Sequence, residues 1–388
     1  MINGFISLNK PATWTSHDCV ARVRRLLNTK KVGHGGTLDP LATGVLPLAV
    51  GRATRLIQYL PARKSYRAVI RFGVTTTTDD LEGDIVTQDA ATDLSVSAIE
   101  AALPQFLGTL QQIPPMYSAI QIDGKRLYDL ARKGKTVDVP VREVTVHQLR
   151  IQHWQSGEQP ELTLDIDCGP GTYIRSLARD LGEAVGTGAT LAQLTRTHSS
   201  GFDLESSITL EALEEAIQEE TFVPLAVDGA IAHLEAITLS PPLARRWRMG
   251  QKLAIPALDT SAPSTSAPRT LEKSTSDTGL SGSGLQFART RPHSRLNTIG
   301  PPIRVLEAKT STFLGIGEIR WVPPVTAVNS NLTHDTNSPR NNPSPKNNPQ
   351  KRPQKMSAQK DNSAIELSTE LSTLSPILAA KRVYLAID

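Results

Sequence analysis

The residues with the clearest capacity for chemistry lie at 33–46, GHGGTLDPLATGVL, where one carboxylate, Asp39, sits in a Gly-rich, Pro-braced turn between apolar segments. Glycines allow backbone angles and close ligand approach that other residues resist. Pro40 fixes one torsion and disfavours helix at Asp39. The stretch therefore reads as a loop that holds its aspartate, although ordinary turns use the same residue types for reasons unrelated to catalysis. A carboxylate flanked by arginine stays ionised at neutral pH and serves as nucleophile or base. A tyrosine ring nearby offers a surface on which an extruded base stacks. Tyr66, Tyr173 and Arg175 are candidates for those neighbours. A paired-carboxylate hydrolase needs a second acid about 5 to 9 Å away, and Asp79, Asp80, Glu82 and Asp84 qualify by number only.

Several other chemistries have no motif here. The sequence has no Walker-type loop, no dinucleotide fingerprint after its first strand and no His-Glu-x-x-His pair, so no cofactor is called for. Cys19 and Cys168 are too far apart in sequence to build a cysteine-based zinc site or a disulfide framework, which fits a reduced compartment. Ser16-His17-Asp18 has the letters of a hydrolase triad, but a triad converges from separate positions; helix capping is the better reading.

The elements that must position these residues follow from periodicity and punctuation. Residues 5–8 read as a strand closed by Asn9-Lys10-Pro11, and Thr15-Ser16 with Asp18 starts a helix running to about residue 28. Within it, residues 20–27 alternate apolar and basic, and with Lys30 and Lys31 they set a basic rim beside the loop. Residues 46–50 suggest a strand, 53–60 a helix, and 65–73 a strand with Tyr66, Ala68, Ile70 and Phe72 on one face. Residues 75–84 look like a polar, turn-rich excursion rather than a strand. Residues 95–107 and 125–133 resemble helices, 112–119 an extended segment, and 144–152 and 162–168 two strands joined by a turn near Gly157. Residues 169–182 run from a tight turn into a helix with Thr172 as cap and Tyr173 and Arg175 in the first turn. Residues 191–197 read as a strand carrying Leu194 and Arg196, and 210–220 as a helix.

At 388 residues the chain exceeds the size of one core, so two domains are expected. The boundary falls near residue 232, and strands at 303–308, 313–318 and 380–387 make a small β domain. Two tracts rich in Ser, Thr, Pro, Gly or Asn, 259–300 and 325–370, interrupt it and read as disordered, which also explains an apolar content of only 39%. A net charge of +4 is compatible with a nucleic-acid partner without requiring one. Residues 1–4 lead straight into an apolar run with no basic leader, and no run approaches membrane-spanning length; a cytoplasmic location without membrane contact is expected.

Residues 33–46 resemble the catalytic motif of the tRNA pseudouridine-55 synthase family, the TruB type. Asn9-Lys10-Pro11 with Thr15-Ser16, Lys64-Ser65-Tyr66, residues 76–83, 114–119 and 171–182 are similar to that family in order and spacing, so the resemblance covers residues 1 to about 220. It implies an α+β fold with a mixed, mostly antiparallel sheet and flanking helices. It also implies isomerisation of one uridine of the tRNA T-arm loop to pseudouridine, without metal or cofactor. By the same resemblance Asp39 matches the catalytic aspartate, proposed in the family to attack the nucleotide or to take a ribose proton. His34 matches the residue that enters the opened T-loop stack, Tyr66 the aromatic beneath the target base, Tyr173 a second aromatic, Arg175 the partner of the aspartate, and Leu194 a backbone contact to uracil. Residues 243–251 and 313–318 resemble a PUA-like RNA-binding domain, giving a synthase domain at 1–232 with an RNA-clamping insertion at 75–113 and a PUA-like domain at 233–388. The alternatives are an RNA-binding or tRNA-folding chaperone and a guide-dependent synthase. No required protein partner is expected.

Overall fold

The computed structural model describes residues 2–118, 121–122, 125–127, 138–254, 269–271, 299–308, 310–322 and 375–383. It divides into two units, Met1–His233 and Leu234–Asp388. In the first, the strands are β1 (Gly4–Lys10), β2 (Val32–His34), β3 (Thr43–Val50), β4 (Lys64–Phe72), β5 (Val74–Thr76), β6 (Ile85–Gln88), β7 (Gly108–Gln112), the short β8 (Gln121–Ile122) and β9 (Lys125–Arg126), β10 (Arg142–Gln155), β11 (Glu161–Cys168), β12 (Ala189–Ser199) and β13 (Phe202–Asp203). Among the described residues its helices of eight residues or more are α1 (Ser16–Leu26), α2 (Ile174–Ala184) and α3 (Leu210–Gln218); a shorter helical turn covers Val96–Ala102.

The main sheet has the order β1-β3-β12-β4-β11-β10-β7, with β2 and β13 at its margin. Every pairing in it is antiparallel except that of β12 with β3, which is parallel. Alternation explains its two faces. Tyr66, Ala68, Ile70 and Phe72 of β4 and Leu162, Leu164, Ile166 and Cys168 of β11 are buried on one side, packed with Val20 and Val23 of α1 and Leu177 and Leu181 of α2 in one core. Each fully buried Leu, Ile or Phe there contributes about 1.5–3 kcal/mol. On the other side Arg67 faces Asp165 at 2.8 Å and Arg71 faces Glu161 at 2.8 Å across the same two strands. These partly exposed pairs add only about 0.2–1 kcal/mol each and mainly favour the register.

The α+β architecture and mostly antiparallel sheet are as the sequence predicts, and so is the start of α1. Thr15 accepts from the backbone of Asp18 while Asp18 accepts from that of Thr15, a reciprocal cap. Other details differ. Residues 53–60 are two 3-10 turns, Gly51–Arg55 and Ile57–Tyr59, because Leu60 precedes Pro61 and is driven extended (φ −66°, ψ 150°). The excursion at 75–84 begins inside a hairpin, since Val74–Thr76 pairs with Ile85–Gln88; β-branched threonines suit that pairing. Thr172 does not cap α2. Its hydroxyl donates to the Gly169 carbonyl, and Tyr173 is the capping residue. The helix expected at 125–133 begins as strand at Lys125–Arg126, and most of it lies outside the described residues.

The second unit holds a sheet of order β15-β19-β18-β17-β14-β16, built from β14 (Ala236–Leu239), β15 (Leu253–Ala254), β16 (Arg269–Leu271), β17 (Ile299–Glu307), β18 (Phe313–Val322) and β19 (Ser375–Val383). One helix, Pro241–Arg248, buries Trp247 against Ile237, Leu239, Ile303 and Val305. The tract 259–300 is not wholly irregular, because β16 and the start of β17 fall in it; its remainder and all of 325–370 lie outside the described residues. The last strand is described over Ser375–Val383, and the part of its expected span beyond that, 384–387, lies outside the described residues. Among the described residues no helix is long and apolar enough to cross a membrane.

Candidate active site

Residues 36–40 lie within the connection between β2 and β3, and three buried side chains from distant parts of the chain hold this backbone. Arg196 of β12, fully buried, donates from Nη2 to the Gly36 carbonyl at 3.1 Å, from Nη1 to Thr37 at 3.2 Å and from Nε to Val45 at 2.7 Å. Ser16 on the first turn of α1 takes a hydrogen bond from the Leu38 N–H at 2.8 Å and donates to the Leu38 carbonyl at 3.1 Å. Lys10 at the end of β1, also fully buried, places its Nζ on the carbonyls of Pro11, Trp14 and Pro40 at 2.8, 2.6 and 3.0 Å. Each side-chain nitrogen of the two cations thus meets an acceptor, without which a buried cation would be costly. Gly44 lets the loop enter the sheet: its φ is +97°, and a Cβ there would stand 2.3 Å from the Arg196 carbonyl.

The result is a turn closed by the Ala42 N–H on the Asp39 carbonyl at 3.1 Å, with Leu38 buried and the Asp39 carboxylate 42% exposed. Arg175 in the first turn of α2 reaches this carboxylate, Nη2 to Oδ2, at 3.0 Å. The arginine side chain is only 6% exposed and is fixed from all sides. Its Nη1 lies 3.4 Å from Asp80, itself 8% exposed, and donates to the Thr78 carbonyl at 3.0 Å; its Nη2 donates to the Tyr117 carbonyl at 3.0 Å. One turn along α2, Arg179 repeats the arrangement with Asp79 at 2.9 Å and the Ile113 carbonyl at 3.0 Å. The helix therefore docks both the 77–84 turn and the 113–117 segment beside Asp39.

Tyr66 lies inward on β4, directly across from Arg196 in the register, and the guanidinium lies close enough to favour the ionised phenol. Burial pushes the Tyr66 hydroxyl above its ordinary pKa, with Asp39 close enough to add to the rise. Tyr173 is raised by burial as well, and it feels Asp39 and Arg175. Its backbone is clamped by Gln112, which donates to the Tyr173 carbonyl at 3.0 Å and accepts from its N–H at 2.8 Å. The structure so gathers Asp39, Arg175, Tyr66 and Tyr173 in one place. Leu194 lies on β12 opposite Ala68, two residues before Arg196, and its carbonyl takes the Thr43 hydroxyl at 3.4 Å.

His34 ends β2, at the entrance of the loop, and packs edge-on against His17 of α1 with ring centroids 5.5 Å apart. Burial holds its pKa below the ordinary 6.5, and the neighbouring His17 and Arg196 lower it further. An unfolded chain takes up a proton at this histidine near pH 6.5 while the folded chain does so only at lower pH. Unfolding therefore gains protons in that window, and stability falls as pH drops below 6.5. Denaturant titrations at about pH 5 and about pH 7 are expected to show this loss, and His34→Asn should flatten it. An unchanged slope in that variant would contradict a buried neutral ring.

Residues that periodicity alone does not single out are Asp80, Arg196, Lys10 and Ser16, whose importance comes from partners 22 to 160 positions away. The basic rim on α1 is partly consumed by structure, since Arg22 pairs with Glu214 and Arg24 donates to the Val32 carbonyl; Arg25, Lys30 and Lys31 stay exposed. Among the described residues no three His, Cys, Asp or Glu side chains gather as metal ligands.

Residues 24–174 match the family model described as TruB family pseudouridylate synthase (N terminal domain), and residues 175–237 match the tRNA pseudouridylate synthase B C-terminal domain. A protein named tRNA pseudouridine synthase B from Nostoc sp. (strain PCC 7120 / SAG 25.82 / UTEX 2576) is 49% identical over 319 residues, 82% of this chain and 95% of that one. The chain belongs to the TruB family. Its TruB relatives include a protein of the same name from Acaryochloris marina, 58% identical over 250 residues, 64% of this chain and 86% of the other. Among solved structures, a Cbf5-Nop10-Gar1 complex contains a chain that resembles this TruB protein with a TM-score of 0.54 at 25% identity, over 81% and 78% of the two chains. A structure of an H/ACA RNP bound to a substrate RNA containing 2'-deoxyuridine gives a TM-score of 0.54 at 24% identity, covering 81% and 77%, and supports the fold.

Proposed function

We propose that the loop at residues 36–40 is the reaction centre of a stand-alone enzyme that isomerises uridine 55 in the T-arm loop of tRNA. Formation of pseudouridine in tRNA follows from TruB membership and from relatives that are 48–58% identical, and it makes the protein an isomerase. The chaperone and guide-dependent alternatives are not favoured by those relatives. The observation that carries the finer reading is the contact of the accessible Asp39 carboxylate with the buried, four-way fixed Arg175.

In this reading the target uridine leaves its stack and lies on Tyr66, which offsets a few kcal/mol of unstacking with about 1–3 kcal/mol of new stacking. Asp39 attacks the nucleotide or removes a ribose proton, the bond from C1' to N1 breaks, the uracil turns, and a bond from C1' to C5 forms. The C5 proton leaves and N1 gains one, so no atoms are added or lost and no redox partner enters. Arg175 aims the carboxylate, Tyr173 closes the second side, the Leu194 backbone reads the uracil, and His34 fills the opened loop of the RNA. The segment 75–113 lies against the T-arm. The second unit acts as a PUA-like RNA-binding domain, and the protein works in the cytoplasm without an obligatory protein partner. A T-arm hairpin transcript tests this: the purified protein is expected to convert one loop uridine, and a tRNA with its T-arm deleted is expected to stay unmodified. Equal conversion of both would refute the T-arm assignment.

A further inference from the structure

Arg175, Arg196 and Lys10 direct their donors at carboxylates or carbonyls of the fold itself. Lys64 does not. Among the described residues its Nζ makes no hydrogen bond and no ion pair, although the side chain is half-buried beside the loop. Lys64 opens β4 two residues before Tyr66, on the same face of the strand, and pairs across the sheet with Cys168 and Ser199. A Cβ placed on Gly36 would stand 3.5 Å from the Lys64 Nζ and 3.6 Å from Nη1 of Arg196. Two cations thus share the space above the Gly36 backbone, three residues before Asp39.

That arrangement is unfavourable in the free protein. Burial lowers the Lys64 pKa, and the Arg196 guanidinium lowers it more, while the Cys168 thiol opposes this. Arg196 has its acceptors; Lys64 has only partial access to water and a like charge beside it. A half-buried ammonium of this kind is explained by an anion that arrives with the ligand. A uracil carbonyl is neutral and would leave the pair of cations uncompensated. A phosphodiester carries a full negative charge on oxygens that accept charge-assisted hydrogen bonds, and lysine binds it as a point charge without strict geometry. RNA brings one such group on each side of the nucleotide that lies on Tyr66.

We propose that Lys64 binds a backbone phosphate adjoining the target uridine and so seats the flipped nucleotide over Tyr66 beside Asp39. The proposal rests on the reading that the Asp39 loop is the reaction centre. Binding through this contact also tethers the sugar whose C1' must reach the carboxylate, which ties RNA affinity to correct placement.

The test uses the full chain, a T-arm hairpin, and the variants Lys64→Gln and Lys64→Arg, with binding measured across a salt series. Lys64→Gln is expected to weaken binding about tenfold at low salt and to reduce the slope of log K against log salt by about 0.7; Lys64→Arg should restore both. A second arm leaves the protein unchanged. Replacing the phosphates on either side of the target uridine one at a time by neutral methylphosphonates should reveal one position where wild-type affinity drops about tenfold, with no further drop there for Lys64→Gln. The proposal is overturned if no such position exists, if Lys64→Gln loses as much as wild type at that position, or if its salt slope is unchanged. Conversion of the unmodified hairpin by the wild-type protein separates the two levels: its absence would remove the underlying reading, whereas conversion with an unchanged salt slope would remove Lys64 alone.

Discussion

Asp39→Asn is expected to slow isomerisation of a T-arm hairpin by about 10³-fold or more, with hairpin affinity and the thermal transition close to wild type. The reason is geometric. The residues that shape the loop, Arg196, Ser16 and Lys10, hold the backbone of residues 36–38 and 40 through carbonyls and an N–H, and the hydrogen bonds that do so do not involve the Asp39 side chain. The carboxylate is 42% exposed, so its replacement by an amide of equal size leaves packing intact. Single-turnover rates with saturating enzyme check this directly, because they separate chemistry from binding. Near-wild-type rates for the variant would remove Asp39 from the chemistry and leave an RNA-binding protein whose loop is a structural turn.

Arg175→Met is expected to impair both catalysis and folding, and the two effects can be pulled apart. Without its guanidinium, Asp80 is left 8% exposed with no counter-charge, a loss of about 3 kcal/mol and a fall of roughly 6–12 °C in Tm for a unit of this size. The Asp39 half of the network is open to solvent and adds little to stability. Adding Asp80→Asn to Arg175→Met should therefore return part of the Tm, because the orphaned charge is gone. It should not return the rate, because Asp39 would still lack the group that aims it. A double variant that recovers both would make Arg175 a structural prop, and a single variant with an unchanged Tm would contradict the buried pair with Asp80. Thermal unfolding and single-turnover rates on the same preparations give both answers.

These two cases also show what can be read before folding. The α1 cap and the inward set Tyr66, Ala68, Ile70 and Phe72 depend on neighbours within a few positions, and periodicity reveals them. Asp80 looks like one acid among four in a polar run. Only docking on α2, 95 positions later, makes it the inner partner of Arg175. Arg196 follows Leu194 by two residues and would pass for a surface cation on an alternating strand; its complete burial comes from the carbonyls of residues 36, 37 and 45, which no local pattern announces. The placement of Tyr173 as the capping residue in place of Thr172 has a similar cause, since the Gln112 side chain from β7 occupies its backbone N–H. The loop that carries Asp39 is legible in its Gly- and Pro-rich wording, while the framework that holds its backbone is legible only in three dimensions.

The Asp39 loop is expected to convert a single uridine of the T-arm. Nucleotide-resolution mapping of pseudouridine in total tRNA, treated with the wild-type protein or with Asp39→Asn, addresses it in one measurement. New pseudouridine is expected at uridine 55 with the wild-type protein and none with the variant. Modification outside the T-arm loop, or equal modification by both proteins, would contradict it.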